Sequence, residues 1–453
     1  MTVQDVRPGV LSTEQIAWRR AALAEIRPAD LRDLVAAMVE IPSVTGDEGA
    51  LAEFIVGRLR ARGLEARYQP IDDRQGNATA RYRGDGTGAD LMLYAPIDTH
   101  ITGSASEDHE GLGSETRPDM IPSAVHGEDY VMGLCAENPK GYAACVVAAA
   151  EAVRAAGVPL RGDLLVGLAG GGMPTNKPPT DALRRYNAGQ GNGCSFMLEQ
   201  GFIPDYAIIA KAGWAVAYEE VGLCWFRIRV SGGLGYAGQR HRMAFKNAIL
   251  EATKVIAGLE EWFPTYSARN ESGLCTPQGH VGAIVGGWPH KPAFSPAECE
   301  LYVDLRITPR TSPLDARRQF DAALETICAQ YPGIAFASEL IMAVPGTSTS
   351  PDNWIIQSSI AAWESVAGEP HQWRTRTSGA TDANILRGRG IPTARIGMPP
   401  PRRGLPYEDT FSMGVVEIEG MVQLTRVLVS TVIDTCTRTR VEIEGSASGA
   451  SRT

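Results

Sequence analysis

The chain has 453 residues, of which 44% are hydrophobic and 21% are charged, and its formal net charge is −9. This length predicts two domains, and the composition is typical of a soluble globular protein. The negative balance argues against nucleic acid or an anionic membrane surface as a partner. No stretch approaches the ~18 uninterrupted apolar residues of a membrane-spanning helix, so no membrane partner is expected.

The N-terminus and the cysteines bear on the cellular compartment. Residues 1–15 are polar and lack the apolar centre of a signal peptide. The eight cysteines are scattered along the chain and form no C-x-x-C pair. This spacing argues against a zinc finger or a redox motif. We therefore expect reduced thiols in a cytoplasmic protein.

The first part of the chain alternates predicted helices with short apolar strands. Residues 12–39 are predicted as one helix, with Ser12 as its N-cap and Gln15 completing a capping box. A second helix is predicted for residues 47–63, where it ends at a glycine. Three apolar strands and one alanine-rich helix follow, at Leu91–Tyr94, Leu164–Leu168, Ala207–Ala210 and Tyr142–Ala156. Short continuous apolar strands are typical of a sheet covered on both faces, so this region predicts an α/β sandwich.

The pattern changes near residue 217. The predicted order becomes strand, helix, two strands, helix and a closing strand, at Cys224–Val230, Ala244–Glu261, His280–Val285, Glu300–Ile307, Pro313–Gln330 and Ile334–Ala337. The α/β pattern then returns, with a helix at Ile355–Ala367 and a strand at Thr393–Ile396. We therefore predict a small α+β domain inserted into a larger one. The predicted boundaries are 1–216 and 343–440 for the larger domain, 217–342 for the insertion, and 441–453 for a flexible tail.

Five segments carry a resemblance to a known family, at Val39–Glu48, Leu91–Thr99, Gly133–Gly141, Ser231–Ile249 and Ser378–Gly397. In order and spacing they resemble the dinuclear zinc hydrolases, which include aminoacylases, acetylornithine deacetylase, succinyl-diaminopimelate desuccinylase and glutamate carboxypeptidases. The resemblance implies an α/β fold, with a zinc-peptidase-like three-layer catalytic domain and an inserted α+β lid, or dimerisation, domain. Because that lid often mediates dimers in the family, the resemblance also implies a homodimer.

The positions that hold two zinc ions in the family are altered in this chain. The family uses two histidines and three acidic residues as ligands, and one glutamate as general base. Carried over segment by segment, the resemblance places other residues there, namely Pro96, Asn138, Gly170, Gly171 and Lys211, with the last histidine near Pro406 or Tyr407. The aspartate that orients the first ligand is kept as Asp98. The histidine that reaches into the neighbouring site of the dimer becomes Tyr236.

Zinc binding requires three or four nitrogen, oxygen or sulfur ligands, and proline and glycine side chains supply none. We therefore expect no metal cofactor of the usual kind. Lys211 is interpreted as a cation that supplies part of the field that zinc would supply, by polarising a carbonyl or binding a carboxylate. With a lowered pKa it could also act as a nucleophile or a base. The alternative is a structural ion pair with Asp98.

Two further groups in this region are candidates for catalysis. Cys135 lies three residues before Asn138 and could act as a nucleophile, with His100 as its base. The alternative is a small buried thiol. The glycines at 170–172 could present N–H groups to an anion or an oxyanion. The alternative there is a tight turn that requires positive φ.

The candidate substrate-binding residues are Arg306, Arg376, Asn138, Gly171 and Tyr407. The resemblance places Arg306 at a lid position where some family members bind a substrate carboxylate. An arginine fork suits a carboxylate, but each arginine could equally lie on the surface. Asp382 is interpreted as a residue that fixes loop geometry.

The leading hypothesis is a hydrolase that acts on a non-peptide C–N bond of a small carboxylated molecule. The bond would lie in an amide, a cyclic amide or an N-acyl group. The predicted catalytic residues are Lys211, Asp98, Tyr236, Cys135 and His100.

Three alternatives remain open. The first is an enzyme with a single divalent metal, manganese or zinc, with ligands drawn from Asp98, His100, Glu137 and Glu408. The second is a non-catalytic protein that binds a small anion. The third is a lyase or isomerase in which Lys211 forms a Schiff base.

Overall fold

The computed structural model describes residues 6–113, 117–177, 185–331, 333–406 and 413–449. The chain divides into two compact units. Unit 1 comprises Met1–Tyr218, Thr349–Trp373 and Thr381–Thr453. Unit 2 comprises Glu219–Ser348 and Arg374–Ala380. Within these described ranges, no helix is both long enough and apolar enough to cross a membrane.

The elements predicted from the sequence occur in the predicted order, except that the first predicted helix is divided in two, and the structure adds further helices and strands between them. The helices are α1 (Thr13–Ala24), α2 (Pro28–Val39), α3 (Gly49–Ala61), α4 (Ala105–Leu112), α5 (Tyr142–Ala155), α6 (Asn192–Glu199), α7 (Ala248–Asn270), α8 (Pro313–Ala329), α9 (Trp354–Ala367), α10 (Ala383–Gly388), α11 (Ile418–Cys436) and α12 (Arg440–Gly449). The strands are β1 (Glu65–Pro70), β2 (Gly76–Tyr82), β3 (Leu91–Pro96), β4 (Val125–His126), β5 (Tyr130–Met132), β6 (Leu164–Ala169), β7 (Tyr206–Ala210), β8 (Glu219–Glu220), β9 (Gly222–Ser231), β10 (Gly235–Tyr236), β11 (Gly279–Gly286), β12 (Phe294–Ser295), β13 (Glu298–Ile307), β14 (Ala335–Val344), β15 (Thr347–Ser348), β16 (Thr393–Ile396) and β17 (Val415–Glu417).

The single helix predicted for residues 12–39 is wrong, because the structure has two helices there. The predicted capping box is present, since Ser12 and Gln15 bond each other's backbone N–H groups. Arg27, however, is extended, with φ −112° and ψ 121°. Pro28 follows it, and a proline disfavours the helical conformation in the residue before it while suiting the first position of a new helix. The proline therefore divides the region into α1 and α2.

Helix α7 differs from the predicted helix at both ends. It begins after Asn247, whose side chain accepts a hydrogen bond from the N–H of Ile249 at 3.0 Å. It then continues nine residues beyond the predicted end at Glu261, through Pro264. Phe263 and Tyr266 are buried in the core of unit 2, so packing of the apolar face outweighs the hydrogen bond that proline removes.

Unit 1 is built on a six-stranded sheet with the order β1-β2-β6-β3-β7-β16. The strands β6, β3, β7 and β16 run parallel to their neighbours. At the other edge, β2 is antiparallel to both β6 and β1. A mostly parallel sheet of this kind requires cover on both faces.

Alternate residues of β3 pack in two different hydrophobic cores. Leu91 and Leu93 lie in the larger core, which also contains the buried faces of α2, α5 and α11. Met92 and Tyr94 lie in a second core on the opposite face, with residues of α6 and α10. The sheet is therefore the middle of three layers, and the predicted catalytic fold is confirmed.

Unit 2 is the predicted α+β arrangement. Its main sheet has the order β11-β13-β9-β14, and each neighbouring pair is antiparallel. Inward-facing residues of β9 and β13 pack with α7 and α8 in one hydrophobic core. All eight cysteines lie among the described residues, where they are buried and form no disulfide bond.

Candidate active site

The sheet of unit 1 brings three of the predicted residues to one edge. Because β3, β6 and β7 are parallel, their C-terminal ends lie on the same side. Asp98 follows β3, the loop Gly170–Gly172 follows β6, and Lys211 directly follows β7. Ligands of open α/β sheets bind beyond the carboxyl ends of the strands. This edge is therefore the candidate active site.

Asp98 is a buried acceptor whose position is set by three donors. Its carboxylate accepts hydrogen bonds from Thr45 Oγ1 at 2.8 Å, from the N–H of Gly172 at 2.9 Å and from the N–H of Met173 at 2.8 Å. Burial raises the pKa of Asp98, whereas these hydrogen bonds and the charge of Lys211 lower it. The carboxylate is consequently fixed beside the lysine.

Lys211 is held by its backbone, while its side chain has no direct partner. Its N–H donates to the carbonyl oxygen of Ile396 at 3.0 Å, which continues the pairing of β7 with β16. The side chain is half-buried, and its ammonium group makes no hydrogen bond or ion pair with any residue that the structure describes. Burial lowers the pKa of Lys211, and the charges of Asp98 and Asp382 oppose this. The predicted alternative of a direct ion pair with Asp98 is therefore not formed, although the two charges interact.

Asp382 is buried close to the same edge. The hydroxyl group of Tyr94, on β3, donates to Asp382 Oδ2 at 2.6 Å. Burial raises the pKa of Tyr94 well above its ordinary value, and the charge of Asp382 adds to the effect. A β-carbon on Gly172 would lie 3.1 Å from an oxygen of Asp382 and 3.1 Å from an oxygen of Asp98, so the glycine lies between the two carboxylates.

Cys135 and His100 are in contact. Cys135 Sγ lies 3.4 Å from His100 Nδ1. The thiol is fully buried, and burial raises the pKa of Cys135 to about 12, while the charges of Lys140 and Lys211 act in the opposite direction. His100 is exposed at one edge, but desolvation by the protein around its ring lowers its pKa, and Asp108 opposes that shift. The lowered pKa favours the neutral imidazole, which is the form that can accept a proton.

The backbone at Cys135 has an unusual conformation. Its φ of 56° and ψ of 31° lie in the left-handed region, which residues other than glycine seldom adopt. The residue forms the turn between β5 and a π-helical segment at Ala136–Gly141 that leads into α5. Cys135 therefore holds this turn at a cost in backbone strain that glycine would not have.

Asn138 and Glu137 follow Cys135 on the same turn. Asn138 Nδ2 donates to Met413 Sδ at 3.1 Å, and no residue in the described part of the chain bonds the buried Asn138 Oδ1. Glu137 is half-buried and accepts from the hydroxyl group of Tyr142 at 3.2 Å. Burial raises the pKa of Glu137, while Tyr142 and Lys211 oppose it.

Lys140 has a structural role. It is fully buried, and its Nζ donates to the carbonyl oxygen of Ile41 at 2.8 Å and of Val39 at 3.5 Å. These carbonyl groups lie at the C-terminal end of α2, where a cation is favourable. Burial lowers the pKa of Lys140 to about 8.

The glycine loop does not offer its N–H groups to a ligand. Gly170 donates to Asn77 Oδ1 at 3.1 Å, Gly171 donates to Glu48 Oε1 at 2.8 Å, and Gly172 donates to Asp98. Gly171 has φ +66°, as the alternative interpretation of a tight turn requires. The proposed oxyanion role of this loop, and substrate binding through the Gly171 N–H, are therefore not supported by the geometry.

Glu48 is a buried carboxyl group that sequence reasoning missed. It accepts from the N–H groups of Gly46 and Gly171, both at 2.8 Å, while its Oε2 has no hydrogen-bond partner within the described ranges. Burial raises the pKa of Glu48 to about 8, and the negative charge of Asp98 adds to the effect. The residue lies in the segment that carried the family resemblance, but its burial follows from the path of the glycine loop, which the sequence does not reveal.

Three predicted residues belong to unit 2. Tyr236 is 47% exposed, on β10, and its ring centroid lies 5.2 Å from that of Phe294. Arg306 donates to Asp304 at 2.7 Å. Arg376 is exposed, has φ 63° and lies 3.8 Å from a carboxylate oxygen of Glu271. Each arginine therefore already has an acidic neighbour within its own unit.

Tyr407 and Glu408 lie outside the described residues. Their proposed roles, in substrate binding and metal ligation respectively, stay predictions.

The described residues do not fit the dinuclear metal centre implied by the resemblance. They contain no group of three or more His, Cys, Asp and Glu side chains arranged to hold a metal ion. In particular, Asp98, His100 and Glu137 do not form such a group, so the alternative single-metal site would depend on Glu408. That alternative stays a prediction.

Comparisons with known proteins agree on the fold. Residues 218–332 match the M20 family described as the Peptidase dimerisation domain. A di-peptidase from Saccharomyces cerevisiae is 12% identical, with a TM-score of 0.70, over 94% of this chain and 100% of that chain. Human carnosine dipeptidase 1 is 12% identical, with a TM-score of 0.68, over 95% and 100%. A hydantoinase/carbamoylase family amidase from Burkholderia ambifaria is 16% identical, with a TM-score of 0.58, over 93% and 99%.

The resemblance predicted from the sequence is thereby confirmed at the level of the fold. The chain has the fold of the M20 peptidases and amidases, and it carries their dimerisation domain. Fold alone does not fix a reaction, so the function has to be argued from the site.

Proposed function

We propose that the protein is a hydrolase that acts on a non-peptide C–N bond of a small carboxylated metabolite, and that it does so without a dinuclear zinc centre. The bond would belong to an amide, a cyclic amide or an N-acyl group. The proposal depends on one observation. Lys211 follows β7 at the carboxyl-end edge of the sheet, where the charges of Asp98 and Asp382 act on it, and its ammonium group makes no hydrogen bond or ion pair with any described residue.

The chemistry of amide hydrolysis explains why such a cation is useful. Attack on an amide carbonyl places negative charge on its oxygen, and enzymes lower the barrier by fixing positive charge where that oxygen will be. Metal ions serve this purpose in metallohydrolases. An ammonium group already engaged with a carboxylate would be a poor substitute. Lys211 is influenced by two carboxylates without being bound to either, so it can interact with a substrate oxygen.

Asp98 has a supporting role in this proposal. Burial alone would favour a neutral lysine, and the negative charges of Asp98 and Asp382 counter that effect. Because Asp98 is held by Thr45 and two backbone N–H groups, it stabilises the ammonium form without turning towards it. The two carboxylates therefore oppose the loss of the ammonium proton that burial favours, and no described acceptor takes the donors of Lys211.

A carboxylated substrate and a homodimer belong to the same proposal. Arg306 and Arg376 of unit 2 remain candidates for the substrate carboxylate, and binding would require them to exchange or share their acidic neighbours. Tyr236, exposed on unit 2, is proposed to reach the active site of the partner subunit, as the resemblance implies. The match to a dimerisation domain supports a dimer. One protein of this fold is named a hydantoinase/carbamoylase family amidase, and that name supports a reaction on C–N bonds outside peptides.

The test is a substrate panel assayed after treatment with a chelator. N-acyl amino acids, cyclic amides bearing a carboxylate, and carbamoyl amino acids are incubated with the full-length protein, and release of amine is measured. Lys211→Met is expected to lower kcat/KM by about 100-fold or more, because a charge contact to the oxyanion is lost. Lys291→Met is the matched control, since Lys291 is an exposed lysine of unit 2.

Two results would contradict the proposal. Turnover that requires stoichiometric zinc or manganese, and is indifferent to Lys211→Met, would favour the metal-dependent alternative. Saturable binding of carboxylated amides without release of product would favour the non-catalytic alternative.

A further inference from the structure

We propose that Cys135 is the nucleophile of the reaction and that His100 is its general base, so that hydrolysis proceeds through a thioester on Cys135. This inference rests on the proposed amide hydrolysis and names the group that attacks the carbonyl carbon. Four features of the described structure support it.

The first feature is direct contact between the two groups. Cys135 Sγ lies 3.4 Å from His100 Nδ1, within hydrogen-bond range for sulfur. A weak nucleophile becomes effective when a base of this kind lies within hydrogen-bond reach. In the tautomer that carries its proton on Nε2, Nδ1 is free to accept the thiol proton.

The second feature is the backbone at Cys135. A non-glycine residue with φ 56° on the sharp turn from β5 into a helical segment is strained. Nucleophiles on strand-to-helix turns adopt strained conformations that direct the side chain towards the ligand. Glycine would remove the strain at this position, so the presence of a thiol calls for a reason other than folding.

The third feature is the positive charge around the thiol. Burial raises the pKa of Cys135 to about 12, and the positive charges of Lys140 and Lys211 oppose that rise without overcoming it. Lys140 is occupied by the carbonyl groups at the end of α2, whereas Lys211 has no direct partner among the described residues. Lys211 is therefore the cation that can follow the charge from sulfur to the carbonyl oxygen.

The fourth feature is an unsatisfied acceptor on the same turn. Asn138 is 9% exposed, and its Oδ1 is buried with no hydrogen-bond partner among the described residues. An N–H group of an amide substrate would satisfy it. The turn thus carries both a nucleophile and a group that suits the nitrogen side of an amide.

The proposed reaction has two stages, and every proton and bond is accounted for in each. The thiol proton passes to His100 Nδ1 while sulfur bonds to the carbonyl carbon, and negative charge collects on the oxygen near Lys211. The C–N bond then breaks, and the leaving nitrogen takes the proton from the imidazolium group. A water molecule next gives a proton to His100 and bonds to the thioester carbon. The C–S bond breaks, sulfur recovers the proton, and the products are a carboxylic acid and an amine.

Because the thiol is fully buried, the experiment must measure whether a small acyl donor reaches it. The full-length protein is treated with 4-nitrophenyl acetate, a small activated acyl donor. We expect a burst of 4-nitrophenolate equal to the protein concentration and an acetyl group on Cys135, located by peptide mass spectrometry. His100→Ala is expected to slow the burst at least tenfold. Absence of a burst, or acetylation that is equal in Cys135→Gly, would overturn the inference.

Cys135→Gly separates a chemical role from a structural one. Because glycine suits the left-handed backbone, this variant is expected to fold with an unchanged or higher Tm while losing amide turnover. Cys328→Ala, which removes another buried thiol on α8, is the matched control and is expected to retain both the burst and turnover. A Cys135→Gly variant that folds and still hydrolyses amides at the wild-type rate would overturn the inference.

The two readouts distinguish this inference from the proposed function. Amide turnover that is unaffected in Cys135→Gly would leave the hydrolase proposal standing and remove the thioester. Acetylation of Cys135 in a protein that hydrolyses none of the amides would keep the nucleophile and remove the proposed substrate class.

Discussion

The backbone N–H of Gly171 donates a hydrogen bond to Oε1 of Glu48 at 2.8 Å. Glycine at this position lets the loop after β6 turn with φ +66° and approach a carboxyl group that comes from the N-terminal end of α3. A β-carbon on the neighbouring Gly170 would lie 2.9 Å from Glu48 Oε2. The carboxyl group of Glu48 therefore occupies space that a larger residue at position 170 would need, and its hydrogen bond with Gly171 organises the loop that also holds Asp98.

Glu48→Gln is expected to remove a pH dependence of stability. The pKa of Glu48 rises from the ordinary value of 4.5 to about 8 on folding. Between these values the folded protein holds a proton that the unfolded chain has released, so the free energy of unfolding falls as pH rises through this window. Thermal unfolding is measured from pH 5 to pH 8.5. Over this range the free energy of unfolding of the wild type should fall by at least about 2 kcal/mol relative to that of Glu48→Gln.

The control for this prediction is Glu53→Gln, on the exposed side of α3. It should follow the wild-type pH profile. Parallel profiles for wild type and Glu48→Gln would show that Glu48 ionises normally in the folded protein.

Gly171→Ala is expected to destabilise the protein by about 2 kcal/mol or more, because it combines backbone strain with a steric clash. The added carbon would lie 1.9 Å from Asn192 Oδ1 and 2.4 Å from the carbonyl oxygen of Ala188. Gly57→Ala is the matched control. Gly57 lies within α3 with open space around it, so alanine there should stabilise by roughly 0.5–1 kcal/mol. Chemical denaturation measures both, and equal effects of the two changes would contradict the prediction.

The fold could be predicted from the sequence to a large extent, because its strands have clear local patterns. The apolar run at Leu91–Tyr94 and the alternation at Cys224–Val230 are local signals, and both segments are strands. The apolar spacing of residues 12–39 predicts one helix and does not show the division. The division arises because Pro28 disfavours the helical conformation of Arg27.

The site was predictable only in part. Cys135 and His100 were paired as a hypothesis, and the structure places them in contact. Glu48 was missed because its burial depends on a loop distant in sequence, which no local pattern encodes. The same long-range geometry explains why the N–H groups of the glycine loop, predicted as possible anion donors, instead bind Glu48 and Asp98.

Lys140→Met is expected to lower stability and to change its pH dependence. Burial lowers the pKa of Lys140 from 10.5 to about 8. Between these values the unfolded chain binds a proton that the folded protein lacks, so wild-type stability rises with pH in this window. The variant should lose that rise. The free energy of unfolding of Lys140→Met should also be lower than that of the wild type by roughly 1–3 kcal/mol at neutral pH, because the carbonyl group of Ile41 loses its hydrogen-bond donor. Lys291→Met, at an exposed lysine, should change neither quantity, and a retained rise in Lys140→Met would contradict the assignment.

Zinc and manganese are expected to leave the thermal stability of the purified protein unchanged. A metal that binds the folded state at 100 times its Kd would raise stability by about 2.7 kcal/mol, which is readily seen as a higher Tm. The positions that carry ligands in the family resemblance hold Pro96 and Gly171, which supply none. Elemental analysis should accordingly find less than stoichiometric metal. A stoichiometric metal together with a raised Tm would instead support the alternative site that includes Glu408.

Strand β11 is expected to form the dimer interface. It is the edge of the sheet in unit 2, and Ile284 and Val285 on it are 50% and 43% exposed. An exposed apolar edge strand is prone to pair with a second copy, and unit 2 matches a dimerisation domain. Replacing Ile284 with lysine should raise the dimer dissociation constant by about tenfold or more, since a charge must be buried or repelled there. Light scattering over a range of protein concentrations measures this. Leu314→Lys is the control, because it changes an equally exposed residue on α8, and it should leave the dimer intact. Equal weakening of the dimer by both variants, or a monomeric wild type, would exclude β11 as the interface.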